Sequence, residues 1–588
     1  MTAGPVVVAG LTAFAVSLAG TWACESVARR AGLVTVPRDD RWHRRPVALL
    51  GGLAIMLGTV VALGLVPGAV SRFGALLATA AVMGGIGLID DLRPLPPQAK
   101  LVAQIVLAAV LIQLGFLLRL TPYALLNVFL TLFWVVGITN AFNLLDNMDG
   151  LAAGMALLAA GFRLVFFLVD RDQGGALITA AFMGGIAGFL VRNFPPAKIF
   201  MGDAGSLFIG FFLSGLSLAG EYAYSRGLSA VLVFPILLML IPIFDTTFVT
   251  LTRLISGRPV SQGGRDHTSH RLVGLGISER QALGFLYGIS GLSGLLAVLS
   301  YEYGFTYTIV LLALLLLGLF LLGIHLSRVQ VLRAGSREPA VPIVRLVADF
   351  PFKRQVATVA IDLVLIVAAY YSAYLLRFEG AFEAHRDAFL VTVSPVIVIQ
   401  VSSLALSGNY RGLWRYTSLP ELLRLVRGIT VGSGATVLYL VFATRFENLS
   451  RAVFVLDWLL LVAFLGGARA SFRILAEVLR PAPDDFRRVL IYGAGDGGEL
   501  TLREIRKNAG WRREPIGFLD DDVAKVGTRL HEIPVLGTLE SLDEVLAGRQ
   551  VDEVIVSSER IPAERVRALE AACAARGVPV VRASLRIE

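Results

Sequence analysis

Apolar stretches of about 20 residues, long enough to cross the hydrocarbon core of a bilayer, recur through the first 470 positions and are parted by short polar segments. Hydropathy places spans near 5–27, 48–67, 74–89, 101–119, 122–142, 151–169, 175–191, 204–220, 227–251, 281–299 and 305–326. Four more fall near 355–377, 387–406, 428–444 and 452–470. From 481 onward the pattern changes to alternating strand-length and helix-length runs. The fold predicted is a polytopic α-helical membrane protein of about 11 + 4 transmembrane helices with a soluble C-terminal α/β domain.

Composition agrees with that pattern. The 588 residues are 56% hydrophobic and 16% charged, against about 25% charged in an ordinary soluble domain; mean hydropathy is +0.72. The first apolar run, Val6 to Ala23, has no basic stretch before it, so no cleavable signal peptide is expected. Cys24 and Cys573 are the two cysteines, far apart in sequence, and give neither a disulfide nor a zinc pattern.

The net charge of +9 changes the picture through its distribution. Arg29, Arg30, Arg38, Arg41, Arg44, Arg45, Arg93, Lys100, Arg192, Lys198, Arg253, Arg258, Arg265, Arg271 and Arg280 fall on one set of alternate loops. The other set holds little more than Arg72, Arg119, Arg171 and Arg226. By the positive-inside rule the first set is cytoplasmic and the N-terminus lies outside. Eleven spans then leave the segment after Ile324 inside, and it carries Arg328, Arg333, Arg337, Arg345, Lys353 and Arg354 as that parity requires. Four further spans return the chain to the cytoplasm before the soluble tail. No basic stripe carries interleaved aromatics, so nucleic acid is not an expected partner.

Polar residues at membrane-helix ends are candidates for function because they are expensive there. Asp90 and Asp91 end the third span, and Asn140, Asn143, Asp146 and Asp149 follow within 140–150. Asp203 opens the eighth span in Met201–Ser206, and Gly263–Arg271 contains His267, His270 and Arg271. The topology puts all four segments on one face of the membrane. Asn140 and Asn143 are three apart and share a helix face. Carboxylate and amide oxygens suit Mg²⁺, with waters and substrate phosphates completing the shell. Arginine and histidine suit a diphosphate. A metal, a basic clamp and a spare carboxylate together read as phosphoryl transfer. Taken singly, Asp90–Asp91 is an ordinary helix end, the asparagines are interhelical glue, and the basic loop is a solvated cytoplasmic loop; their convergence on one face favours a site.

These segments, in this order, resemble the polyprenyl-phosphate N-acetylhexosamine-1-phosphate transferase superfamily over roughly residues 1–330. The superfamily includes the bacterial undecaprenyl-phosphate GlcNAc-1-phosphate transferase and the phospho-MurNAc-pentapeptide translocase. The resemblance implies Mg²⁺ (Mn²⁺ as the alternative) on Asp203 with help from Asn143, and Asp90 and Asp91 serving the lipid-phosphate and metal region. It implies that Lys100 meets phosphate, that Asp146 and Asp149 hold the uridine side, and that His267, His270 and Arg271 hold the diphosphate or sugar. Asn140 joins the substrate-binding set. Arg44–Gly52 resembles the family's arginine-proline-glycine segment more loosely. One departure is plain: His267-Thr268-Ser269-His270 replaces a run of adjacent histidines, which disfavours the pentapeptide-bearing substrate.

In the tail, Arg487–Tyr492 reads as a buried parallel strand running into Gly493-Ala494-Gly495-Asp496-Gly497-Gly498 and a helix over Glu499–Asn508. Gly493, Gly495 and Gly498 in strand–turn–helix context form a nucleotide-binding fingerprint. Further strands are predicted at Ile516–Leu519, Val535–Leu536, Val554–Ser557 and Val580–Arg582. The ribose-binding acid about 20 residues on is Asp520, Asp521 or Asp522. Residues 346–588 resemble the N-terminal membrane and Rossmann-like part of membrane-bound nucleotide-sugar 4,6-dehydratases, through Leu376–Gly380, Tyr410–Tyr416, Gly493–Gly498 and Gly517–Asp522. That family's redox chemistry uses a Tyr-x-x-x-Lys pair in a second Rossmann domain. None occurs in 481–588 before the sequence ends at Glu588, so dehydratase activity is not expected.

The organisation predicted is a transferase membrane domain over 1–330, a basic cytoplasmic linker over 331–350, a four-helix membrane domain over 351–480, and a cytoplasmic Rossmann-like domain over 481–588. The function predicted is transfer of HexNAc-1-phosphate, GlcNAc-1-phosphate first among the choices, from a UDP-sugar to undecaprenyl phosphate at a bacterial inner membrane, releasing UMP. The tail is expected to bind NAD(P) or a nucleotide-sugar without turning it over, and a homodimer is compatible with the sequence. Two other classes compete with this one. A flippase needs polar residues near the midplane, and these lie at one face; a scaffold with an inactive first half does not need the intact Asp/Asn set.

Overall fold

A computed structural model describes residues 3–35, 46–65, 73–219, 228–255, 264, 266–327, 353–378, 381–410, 419–446, 449–478, 487–507, 511, 513–558 and 561–583. The linker over 331–350, Arg44 and Arg45, Arg265, Glu379 and Gly380, and Arg411–Tyr416 lie outside the described residues. The chain forms two compact units, Met1–Arg480 and Pro481–Glu588.

The first unit is helical. Its first part comprises α1 (Ala3–Arg30), α2 (Gly51–Gly64), α3 (Gly74–Leu92), α4 (Pro97–Gln113), α5 (Ala124–Leu145), α6 (Leu151–Val169), α7 (Gln173–Asn193), α8 (Gly202–Leu218), α9 (Leu228–Leu238), α10 (Leu240–Ile255), α11 (Thr268–Gly274), α12 (Glu279–Tyr303) and α13 (Phe305–Ser327). Four long helices follow: α14 (Lys353–Phe378), α15 (Phe382–Leu406), α16 (Leu419–Thr444) and α17 (Arg451–Val478). Among the described residues eleven helices are long and apolar enough to cross a membrane, and α2, α4 and α8 are shorter apolar helices. The span predicted over 227–251 is two helices, α9 and α10, parted by Met239. Pro242 supplies the reason: without an N–H it cannot bond the carbonyl four residues back, so the ladder lapses at the junction.

Two apolar cores hold this unit. One gathers α1–α13 around Phe142, Phe182, Phe208 and Phe212; the other gathers α14–α17 around Tyr370, Phe389 and Leu461 and takes in Leu321 of α13. A short ladder joins β1 (Val34–Thr35) to β2 (Val47–Ala48). The chain after β2 then pairs with the segment before α8: Phe200 N–H donates to Ala48 O at 2.8 Å and Gly51 N–H to Phe200 O at 2.9 Å. These bonds, 150 residues apart in sequence, fix where α8 begins.

The second unit is a six-stranded sheet in the order β5 (Arg529–Leu530), β6 (Ile533–Gly537), β4 (Arg513–Leu519), β3 (Arg487–Tyr492), β7 (Glu553–Val556), β8 (Val580–Arg582). All pairs are parallel except the β5–β6 edge, which the sequence reading missed. Val489 and Ile491 of β3 pack toward α18 (Asp496–Lys507). Leu490 and Tyr492 pack toward α19 (Leu542–Gly548) and α20 (Ala563–Ala574). Burial on both faces explains why β3 reads as a continuous apolar run, and the order from β6 to β8 is that of a Rossmann half with its switch point between β3 and β7.

Candidate active site

Four helix ends bring the first half's polar residues together. Asp90 lies in the last turn of α3, and the Pro-rich turn that follows folds back so that Leu95 N–H donates to Asp90 Oδ1. Pro97 opens α4, a position where its missing N–H costs nothing, and one turn on comes Lys100. The Lys100 ammonium donates to Asp90 Oδ2 at 2.8 Å and to Asp203 Oδ2 at 2.8 Å. Asp203 lies in the first turn of α8, where the helix dipole favours a carboxylate. Its other oxygen, Oδ1, accepts from Asn143 Nδ2 of α5 at 3.0 Å, and the same amide donates to Ser206 Oγ at 2.9 Å. One cation thus joins two carboxylates from different helices, with an amide completing the group.

Asp91 faces differently from its neighbour. Both its oxygens accept backbone amides at the start of α8, Asp203 N–H at 2.8 Å and Ala204 N–H at 3.0 Å. Gly202, at φ +68, makes the turn into the helix, and a Cβ there would meet the Asp91 carboxylate. Gly87 of α3 lies so close to α8 that a Cβ would strike the Asp203 carbonyl. α3 therefore delivers Asp90 to the site and uses Asp91 to hold the helix that carries Asp203.

The remaining predicted residues surround this group with less direct geometry. Asn140 pairs with Gln104 of α4, its Nδ2 donating to Gln104 Oε1 at 2.6 Å. Lys100 and Gln104, one turn apart, thus share the face of α4 that meets α5 and α8. Asp149 Oδ2 accepts from Ala197 N–H at 2.7 Å, tying the α5–α6 turn to the strand-like stretch before α8. Asp146 is partly buried in that turn. The basic segment joins the same turn through Ser269 Oγ, which donates to Asn147 Oδ1 at 2.6 Å. Arg271 donates to the carbonyls of Asp266 and Leu326, both at 2.9 Å. Arg253 donates two hydrogen bonds to the Asp266 carboxylate, from Nε at 2.8 Å and from Nη2 at 2.7 Å. Burial works against charge on Asp266, but the Arg253 guanidinium outweighs it and holds that carboxyl below the usual carboxylate range. His267 and His270 stack edge-on with ring centroids 6.1 Å apart.

Two residues here were missed by the sequence reading. Gln104 is an amide set among the apolar residues of α4. Asp245 of α10 is 0% exposed and bonds the basic segment; an ionisable residue inside a predicted span was the signal that could have found it.

The donor set fits a hard divalent cation. Asp90 and Asp203 already share a positive group, Lys100, and Asn143 holds an amide beside Asp203. Among the described residues no three His, Cys, Asp or Glu side chains close into a metal cage. Few protein ligands with substrate phosphates and water completing the shell is the arrangement Mg²⁺ favours.

In the second unit the three glycines differ in role. Gly493 has φ +100 at the turn, and a Cβ on Gly498 would strike the Gly493 carbonyl, so close strand–helix packing needs glycine there. Gly495 has nothing within 4 Å of a built Cβ, which leaves open space at the strand end. Asp520 accepts from Ala494 N–H at 2.7 Å and Asp522 N–H at 2.9 Å, Asp521 accepts from Tyr492 Oη–H at 2.7 Å, and Asp522 caps Ala524 at 3.0 Å. Asp520 is thus the acid that reaches the glycine loop. Burial pushes its pKa up, but the two amides and the Lys525 ammonium together hold it below the usual value.

Membrane-helix ends that converge two carboxylates, a lysine and an amide form a charged group suited to handling phosphate at a membrane. Residues 73–221 match the family described as glycosyl transferase family 4. A Bacillus subtilis relative, "Probable undecaprenyl-phosphate N-acetylglucosaminyl 1-phosphate transferase", is 34% identical over 308 residues, covering 49% of this chain and 84% of the relative. The "Decaprenyl-phosphate N-acetylglucosaminephosphotransferase" of Mycobacterium tuberculosis is 34% identical over 316 residues, 47% of this chain and 78% of the relative. The chain belongs to the polyprenyl-phosphate N-acetylhexosamine-1-phosphate transferase family through its first half. Residues 405–581 match a family described as a CoA-binding domain. A Bacillus subtilis protein named "Probable polysaccharide biosynthesis protein EpsC" is 27% identical over 224 residues, 38% of this chain and 37% of that protein.

Proposed function

We propose that the chain transfers N-acetylhexosamine-1-phosphate, GlcNAc-1-phosphate first, from a UDP-sugar to undecaprenyl phosphate and releases UMP. The observation that carries the reading is the junction of Asp90, Lys100, Asn143 and Asp203 from four helices. In the reaction an oxygen of the lipid phosphate bonds to the sugar-bearing phosphorus while the bond from that phosphorus to the UMP oxygen breaks. A phosphate monoester has its second pKa near about 6, so the lipid phosphate arrives as its own nucleophile. The side chains then position anions and offset their charge, as in other phosphoryl transfers. Lys100, steered by Asp90, meets the phosphates; Asp203 and Asn143 would hold Mg²⁺, whose charge would offset that of the diphosphate. Asp91 positions α8. Asp146 and Asp149 lie toward the uridine, and His267 and His270 toward the diphosphate, with Arg271 fastening their segment and Asn140 keeping α4 against α5. The charge pattern of the loops supports a cytoplasmic site at a bacterial inner membrane.

For the tail we propose binding of a nucleotide or nucleotide-sugar without turnover. Its support is the open approach at Gly495 beside a parallel-sheet switch point. UMP release measured with a panel of UDP-sugars and undecaprenyl phosphate tests the main reading: a flippase or an inactive scaffold would release none with any donor.

A further inference from the structure

Asp245 lies in α10 at 0% exposure, in a helix that is otherwise apolar up to Arg253 but for its threonines. Its carboxylate takes three donors from one short stretch: His267 Nδ1 at 2.7 Å, Thr268 N–H at 2.7 Å and Thr268 Oγ1–H at 2.5 Å. His267 is 5% exposed and Thr268 0%. A buried ionised carboxylate is expensive, and the two Thr268 bonds, both to Oδ1, need only a neutral oxygen acceptor. The second oxygen, on His267, is what an amide could not supply, since it would present N–H groups to the ring instead.

The neighbours narrow the role further. Arg253 is taken up by Asp266, and Arg271 by the carbonyls of Asp266 and Leu326. Two residues beyond His267, Ser269 is tethered to Asn147 at 2.6 Å, four residues past the Asn143 that touches Asp203. A carboxylate on one ring nitrogen settles which nitrogen faces outward, as with metal-bound and catalytic histidines.

We infer that Asp245 is a positioning residue for the transferase: it holds His267 through Nδ1 and so presents Nε2 to the diphosphate of the nucleotide-sugar. In the bound complex Nδ1–H points toward Asp245 and the Nε2 edge toward a phosphate oxygen. The inference rests on the transferase reading. A wild-type chain that releases no UMP overturns that reading, whereas an active wild type indifferent to Asp245 overturns this inference alone.

The test uses the full chain in detergent. Asp245→Asn keeps the shape and the Thr268 bonds, and it should lower kcat/KM for the UDP-sugar about 10- to 100-fold, the range for loss of a residue that orients a ligand. KM for undecaprenyl phosphate should stay within about twofold. In a His267→Ala background the same change should add less than about twofold, because a residue acting through His267 has nothing left to orient. An equal loss in both backgrounds, or near-normal kcat/KM for Asp245→Asn, overturns the inference. ¹⁵N-histidine spectra of the wild type give a readout that needs no variant at Asp245. With the His267 signal assigned by its disappearance in His267→Ala, Nδ1 should carry a proton, and an unprotonated Nδ1 also overturns the inference.

Discussion

Lys100 holds two carboxylates 2.8 Å from one ammonium, and two phosphates must approach the same place. Lys100→Ala leaves Asp90 and Asp203 without their shared cation, so turnover should fall by at least about a hundredfold, the scale of losing one charge-stabilising group. Lys100→Arg should not rescue it, because a planar fork cannot reproduce a point contact to two carboxylates. The adjacent aspartates should separate in kind. Asp90→Asn should cut kcat about a hundredfold with little change in melting temperature. Asp91→Asn can accept with one oxygen where Asp91 accepts with two, so it should destabilise by about 1–3 kcal/mol. Thermal melts beside kcat for both variants check this; equal effects on both quantities would leave the two residues undistinguished.

Among the elements, the sequence was most legible where a physical rule applies locally. Asn140 and Asn143 lie on one helix, α5, and the fingerprint Gly493-x-Gly495-x-x-Gly498 runs from the end of β3 into the first turn of α18 as read. Asp245 and Gln104 were hidden because hydropathy averages over a window and absorbs a single polar residue. The division of labour between Asp90 and Asp91 was also hidden, since it depends on α8 arriving from 110 residues away. The break at Met239 was visible in principle through Pro242. In the tail, Gly495→Val meets open space and should leave the melting of that unit unchanged while removing, in calorimetry on the full chain, the nucleotide binding that lies outside the transferase site. Gly498→Ala drives a Cβ into the Gly493 carbonyl and should destabilise the unit by about 1–3 kcal/mol. Asp520 adds a pH signature. Its folded pKa lies below its ordinary value, so its contribution is whole above about pH 4 and is lost as pH falls through the folded pKa. Denaturation of the tail should therefore carry the full Asp520 contribution, with no pH dependence from it, near neutrality, and Asp520→Asn should flatten the acid limb.

For the whole molecule, a helical unit in the transferase family and an α/β unit with a nucleotide fingerprint share one chain. On the reading proposed, the first performs the transfer and the second binds without chemistry, so residues 481–588 should be dispensable for turnover but not for nucleotide binding outside the transferase site. The central claim is that Asp203, held between Lys100 and Asn143, organises a metal-assisted transfer from a UDP-sugar to a lipid phosphate. UMP release from UDP-GlcNAc and undecaprenyl phosphate, titrated with Mg²⁺ in wild type and in Asp203→Ala, measures it most directly. Wild type should release UMP only with Mg²⁺ present, and the folded variant should lose at least about a hundredfold at every Mg²⁺ concentration; near-wild-type release by Asp203→Ala at ordinary Mg²⁺ would contradict the account.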